Sequence, residues 1–450
     1  MDILRYKDDM MRDLDCLLRI KSVSADRTAT TQALEFVLNR AKEMGFETKN
    51  VQNTAGHIQF GTEGKLVGIL THLDVVPAGE GWSVEPFALT RKNGRLYGRG
   101  IVDDKGSAIV ALYALKTLKD SGIEPQCRIR LILGTSEEVG MTDMETYFAS
   151  EERPDMAFTP DAEYGICHCE KGILQLEVSS RHHDGTILNE FRSGNAVNAV
   201  SSKAYALIDC TENEENQMRR IADAKVGTYD FSYTIEGVKV MAHGTAAHGS
   251  TPELGVNAGL QLLRILSTNF GQTVLGSLCS FLDDAIGLET DGRSLGIACQ
   301  DEPSGALTVC VGMIDIDNAV SKATIDIRYP VTADSSEILK KIRERAAYDG
   351  LKVTVLHHDA PLYLPKEHPV IRILNSAYRD VMGKDAVIYS TGGGTYARTL
   401  NNCGVAFGPI FEGDDCRIHN TDESIDENNF MLHAKICLAA VQRFAMGDMP

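Results

Sequence analysis

Three short apolar runs in the first third of the chain each end in polar, chemistry-bearing residues, and this arrangement constrains the fold more than any other feature. Leu66-Val67-Gly68-Ile69-Leu70 leads into Thr71-His72-Leu73-Asp74, Ile129-Arg130-Leu131-Ile132-Leu133 into Ser136-Glu137-Glu138, and Met156-Ala157-Phe158 into Pro160-Asp161. Runs of this length read as buried strands. Helical patterns accompany them: residues 107–119 carry Ile109, Leu112, Leu115 and Leu118 on one stripe, and residues 30–44 end at Gly45. Strands interleaved with helices predict a helix-covered α/β sheet, which binds its ligands outside the carboxyl ends of its strands. His72, Asp74, Glu137, Glu138 and Asp161 are therefore expected at one sheet edge, with Asp103 just ahead of the 107–119 helix.

The chain of 450 residues is longer than one hydrophobic core usually serves. Beyond residue 172 the texture changes to longer alternating strands at 174–178, 307–316, 323–328 and 353–356, with a turn at Asp317-Asn318 and helices at 254–269 and 336–348. Site-like residues return after residue 365, followed by a closing helix at 429–444. The expected architecture is α/β: a first domain with a helix-covered mixed sheet, split into residues 1–172 and 366–450, around an inserted α/β domain of residues 173–365.

A formal net charge of −18 without clustered Lys and Arg argues against a nucleic-acid partner. No segment approaches the roughly 18 uninterrupted apolar residues of a membrane span. A charged N-terminus lacks the pattern of a secretory signal, so a cytoplasmic location is expected. The eleven cysteines show no C-x-x-C spacing, and even the close pair Cys167 and Cys169 reads as reduced thiols.

His72 and Asp74, two apart in an extended segment, share a face, so the carboxylate can take one imidazole proton and present the other nitrogen to a metal. A surface histidine beside an acid gives the same letters. Asp103 closes the glycine-rich stretch Gly98-Arg99-Gly100-Ile101-Val102, which lacks phosphate-loop spacing; a carboxylate there could bridge two cations. Lys105 is expected to be solvated or paired with Asp104. Adjacent Glu137 and Glu138 would repel unless cations kept both ionised, although a solvated acidic loop is the common alternative.

Taken in order, His72-Leu73-Asp74, Gly100-Ile101-Val102-Asp103-Asp104-Lys105-Gly106, Ser136-Glu137-Glu138, Pro160-Asp161-Ala162-Glu163 and Ile418-His419 resemble the metallopeptidase family of acetylornithine deacetylase, succinyl-diaminopimelate desuccinylase and the carnosinases. Within it the likeness is to bacterial dipeptidases of the PepV and Sapep type, over nearly the whole chain. The resemblance implies a catalytic domain with an inserted lid, and two divalent metal ions, zinc first, with manganese or cobalt as alternatives. Asp103 would bridge them, His72 and Asp161 completing one site and Glu138 and His419 the other. Glu137 would be the general base for a metal-bridging water, and Asp74 would orient His72.

The resemblance also makes His248, in Ala247-His248-Gly249-Ser250-Thr251-Pro252, an oxyanion-stabilising residue and Arg328 a clamp for the substrate's carboxylate. Asn198, Gly393, Gly394 and Thr395 would contact substrate. Two departures stand out: Gly165, where related dipeptidases carry proline, and the absence of the usual Pro-Asp downstream of Asn198. The implied reaction is hydrolysis of short unblocked peptides by a monomer, a homodimer being the alternative assembly. An N-acyl amino acid deacylase could use the same ligands. His243 and His182, His183, His357 and His358 carry no motif.

Overall fold

The computed structural model describes residues 1–447. Two compact units are present. The first comprises Met1–Cys169, Leu362–Ser390 and the chain from Gly394 onward; the second comprises Glu170–Pro361 with Thr391–Gly393.

The first unit is built on a mixed sheet whose spatial order is Glu47–Val51, Ala55–Phe60, Arg128–Gly134, Leu66–His72, Met156–Thr159, Gly404–Ala406, Ile166–Glu170 and Leu362–Tyr363, with Ile388–Thr391 also pairing with Ile166–Glu170. The four central strands run parallel. Their apolar runs are nearly continuous because both faces are covered. Ile69 and Leu131 face a large core shared with the helices Lys7–Arg19, Arg27–Glu43, Lys105–Asp120, Pro369–Met382 and Glu427–Ala445. Leu70 and Ile132 face a smaller cluster with Met144, Tyr147, Tyr396 and Leu400. In register, His72 lies beside Gly134, so the two strands end level and deliver their polar successors to one edge. The anticipated helices at 30–44 and 107–119 run slightly further, as Arg27–Glu43 and Lys105–Asp120, with Gly45 in the left-handed region after the former.

The second unit is an antiparallel sheet of eight strands, ordered Thr228–Thr234, Gly237–His243, Lys203–Ile208, Leu188–Ser193, Thr308–Ile316, Ser321–Tyr329, Gly172–Ser179 and Lys352–Asp359. Its core is its own, and includes the helices Glu212–Ala222, Ala258–Phe270 and Ser335–Tyr348. The helix anticipated from residue 254 begins only at Ala258. Pro252–Leu254 forms a separate 3-10 turn, and Asn257 caps the helix by accepting from the Leu260 amide at 3.2 Å. No helix among the described residues is long and apolar enough to cross a membrane.

His433, on the Glu427–Ala445 helix, shows how this core responds to acid. The residue is 1% exposed, shares a 2.8 Å hydrogen bond with Tyr164 through Nδ1, and is pushed by burial from 6.5 to about 3. It stays neutral in the fold, whereas the unfolded chain takes up a proton below about pH 6.5. Stability present above that pH is therefore lost as pH falls toward 3, at up to about 1.4 kcal/mol per pH unit from this group. His433→Gln keeps an acceptor and should flatten the decline between pH 6.5 and 4.5 in urea denaturation; identical slopes would contradict the assignment.

Candidate active site

The carboxyl ends of the parallel strands bring six residues together. His72 is fully buried, with Nε2 2.7 Å from Asp103 Oδ1 and 3.8 Å from Asp161 Oδ2. His419 Nε2 lies 3.0 Å from the other Asp103 oxygen and 3.1 Å from Glu138. Asp103 thus offers one oxygen to each histidine. Ligand atoms of His72, Asp103 and Glu138 lie within 4.8 Å of one another, as do those of His72, Glu137 and Asp161. His72 belongs to both groups, and Glu137 joins Asp161, so these groupings cut across the ligand sets implied by the resemblance.

The buried Nε2 of His72 finds no hydrogen-bond partner in spite of its nearness to Asp103, which leaves two acceptors' lone pairs available to a common cation. The electrostatics agree. Burial, then repulsion from Asp103, pushes Asp161 well above the usual carboxylate range. Burial raises Glu137 as well, reinforced by Asp161, Glu138 and Asp103. Burial works against a charged His72 or His419, yet contacts with the acids outweigh it, holding His72 well above 6.5 and His419 at about 11. Asp103 moves the other way, held against its burial below the usual carboxylate range by His419 and His72, so acids crowded this closely are ones that divalent positive charge would keep ionised. The residues fit divalent cations.

Local structure explains the placement. The Arg128–Gly134 strand ends at Gly134, and Glu137–Val139 forms a 3-10 turn that lets both glutamates face the cluster. Asp74 does something the alternation of side chains did not suggest. The imidazole Nδ1 of His72 meets the backbone carbonyl of Asp74 at 2.9 Å, while the Asp74 carboxylate accepts from the amides of Glu137 (3.1 Å) and Glu138 (3.3 Å) and from Ser24 Oγ (2.8 Å). Its carboxylate therefore holds the glutamate turn while Oδ1 also lies 3.4 Å from His72 Nδ1, so the imidazole is met by both the carbonyl and the carboxylate of Asp74.

Three residues that the motifs did not single out belong to this edge. Asp143 accepts from the amides of Thr135 (2.5 Å) and Ser136 (2.8 Å) and from the Tyr396 hydroxyl. The Tyr396 ring stands edge-on to His72 with centroids 6.1 Å apart. Asp104, buried, accepts the His72 amide at 3.3 Å. Only their tertiary burial distinguishes them; in sequence Asp143 is one acid among several. A Cβ at Gly134 would overlap the Tyr396 hydroxyl and come within 2.5 Å of Asp143 Oδ2. Gly134→Ala should cost about 1–3 kcal/mol in chemical denaturation and reduce activity; an unchanged midpoint would show that Tyr396 can yield.

Lys105 corrects its expectation. It is fully buried, neither solvated nor bonded to Asp104, and donates to the carbonyls of Leu17 (3.2 Å) and Ile20 (2.7 Å). Gly165 is explained by Val387, whose carbonyl any Cβ there would overlap. Gly394 and Thr395 lie in the first unit; Thr395 is buried and caps the Tyr396–Leu400 turn, accepting from the Ala397 amide at 3.2 Å. None of the eleven cysteines forms a disulfide.

The second unit holds the other candidates. His248 is exposed, and its Nδ1 accepts from the Ser250 amide at 3.2 Å, which places the proton of a neutral ring on Nε2. His243 pairs with Asp230 at 3.0 Å. Asn198 is exposed, and its carbonyl receives the Gly249 amide at 2.6 Å. Arg328 is already engaged: Nε and Nη2 bind Asp326 in a bidentate pair at 2.6 and 3.0 Å, and Nη1 donates to the Gly392 carbonyl at 2.7 Å. Two of the guanidinium's three nitrogens are thus held by Asp326. Gly393 donates its amide to Thr391 Oγ1 at 3.1 Å.

A mixed sheet with buried His and carboxylate ligands at its strand ends is the architecture of a metal-dependent hydrolase. Residues 68–443 match Peptidase family M20/M25/M40, and the chain belongs to that family. A provisionally named dipeptidase of Bacillus subtilis, YtjP, is 34% identical over 466 aligned positions covering 99% of each chain. Two solved structures share the fold: the dipeptidase Dug1p of Saccharomyces cerevisiae (TM-score 0.61, 15% identity, 98% of this chain and 97% of that one) and human carnosine dipeptidase 1 (TM-score 0.60, 16% identity, 98% and 97%).

Proposed function

We propose that the chain is a dipeptidase that hydrolyses the peptide bond of short, unblocked peptides. The observation that carries the reading is the Asp103 carboxylate, set between His72 and His419 with one oxygen toward each, inside a cluster of further half-buried acids. The dipeptidase names among relatives that align over their full length support the substrate class.

His72, Asp103, Glu138, Asp161 and His419 would hold two divalent cations, zinc first, with manganese or cobalt as alternatives. Such ions, when bound, lower the pKa of water and polarise a scissile carbonyl. The chain's own groups do the rest. Glu137, a carboxylate raised by burial and like charges, is suited to take a proton from the attacking water and return it to the leaving amine. Asp74 fixes the turn that carries Glu137 through two backbone amides.

His248 is proposed to supply an N–H to the developing oxyanion, with Arg328, Asn198, Gly393, Gly394 and Thr395 contacting substrate. His248→Ala should lower kcat by about 10²-fold or more with metal content unchanged; a wild-type kcat would remove His248 from the mechanism. A monomeric, cytoplasmic enzyme completes the proposal. The substrate class is tested by comparing unblocked dipeptides with N-acetyl and N-succinyl amino acids. Higher kcat/KM for the dipeptides is expected, and preference for the N-acyl compounds would overturn the reading in favour of a deacylase.

A further inference from the structure

Arg99 and Glu423 form an ion pair at 2.7 Å, each side chain 1% exposed. A buried pair is weak evidence for stability, because desolvation offsets the attraction. What distinguishes this one is the backbone it grips. Glu423 Oε2 also accepts the Gly100 amide at 3.0 Å, and Oε1 accepts the amides of Val102 (3.0 Å) and Asp103 (3.3 Å). The whole approach to Asp103 is thus fastened to one carboxylate.

Arg99 fastens the opposite segment. Its Nη2 donates to the Asn420 carbonyl at 3.0 Å, one residue after His419. The His419 backbone needs such restraint, since its φ of +60° and that of Asp422 lie in the left-handed region that L residues avoid. A second tie holds the same segment: the Ser83 amide donates to Asp422 Oδ1 at 2.7 Å. Trp82, next to Ser83, lies 5.2 Å from the Arg99 guanidinium.

We infer that Arg99 and Glu423 are a positioning pair that sets Asp103 and His419 against each other before any cation arrives, an inference that rests on the metal-centre reading above. Neither side chain touches the ligand cluster through its own charged end. Each acts through backbone groups of the segments bearing the ligands. Because one pair grips both segments, loss of either partner loosens both ligands together, and cation affinity falls before the fold does.

The test uses the full chain stripped of cations, with Zn²⁺ affinity measured by competition with a chromophoric chelator. In Glu423→Gln the amide must turn its NH₂ toward one of the two sets of donors, so affinity should fall roughly ten- to a hundred-fold. Arg99→Lys keeps the charge but loses the planar fork, and should weaken binding as well. Asp13→Asn breaks another short pair, a buried acid to the half-buried Arg40 at 2.6 Å, away from the cluster, and should leave affinity within about twofold. In cation-free wild-type protein the amides of Gly100, Val102 and Asp103 should already resist deuterium exchange, a readout that needs no variant to fold. Unchanged affinity in Glu423→Gln and Arg99→Lys, an equal loss in Asp13→Asn, or fast exchange of those amides overturns the positioning role and leaves the metal centre standing. Wild-type protein that binds no Zn²⁺ overturns the metal centre, and the pair's role with it.

Discussion

Glu137→Gln lowers kcat for a dipeptide by about 10³-fold, the scale on which a positioned general base contributes, while cation binding survives. The geometry leads to both halves of this expectation. Glu137 sits with Asp161 and His72, yet His72, Asp103, Glu138, Asp161 and His419 remain in the variant to hold the ions. The glutamine side chain also removes a carboxylate whose charge burial and three neighbouring acids disfavour. Cation-free Glu137→Gln should therefore melt no lower than the wild-type protein in the same state. Stoichiometric cation binding with activity near wild type would exclude Glu137 as the base; loss of the cations would make it a ligand.

Asp103→Ala produces the larger failure, of a different kind. Its two oxygens are divided between His72 and His419, so its removal leaves both histidines without their common carboxylate. Cation affinity should fall by well over the roughly 10²-fold typical of residues that merely support a ligand, and activity should drop to that of cation-free protein. Excess cation should restore little. Chelator competition and metal analysis of dialysed protein read this directly, and retention of two ions per chain would show that Asp103 does not join the two sites.

The contrast between these variants reflects how much of the site was legible beforehand. His72, Glu137, Glu138 and Asp161 could be placed at one edge because each follows an apolar run, and parallel strands ending level turn three separate positions into one place. His419 could not be placed that way. It sits on a loop far along the chain, in a left-handed backbone conformation, and only the resemblance of the surrounding motif pointed to it. Asp74 was singled out for the face it shares with His72, and its carboxylate does lie 3.4 Å from that imidazole; what alternation did not reveal is that the tight turn after Gly134 also brings the Glu137 and Glu138 amides to it.

The residues misread or missed are those whose chemistry depends on burial that no local pattern records. Lys105 looks like a surface lysine among charged neighbours. In the fold it is fully buried and bonds the carbonyls of Leu17 and Ile20, at the end of a helix more than eighty residues away in sequence. Asp143 and Tyr396 meet across a wider gap still, 253 residues. Arg328 shows the converse: its partner Asp326 lies two residues earlier on the same face of the same strand, a pairing that strand periodicity permits a reader to see.

The central claim, that this cluster of histidines and acids hydrolyses dipeptides with the help of bound cations, is tested most directly by one assay. Protein stripped of metal is resupplied with Zn²⁺, Mn²⁺ or Co²⁺, and release of free amino acids from a small panel of unblocked dipeptides is followed. Cleavage that is absent without cation, returns with it and saturates near two ions per chain is the predicted result. Undiminished cleavage by the stripped protein, or none with any cation that binds stoichiometrically, would contradict it.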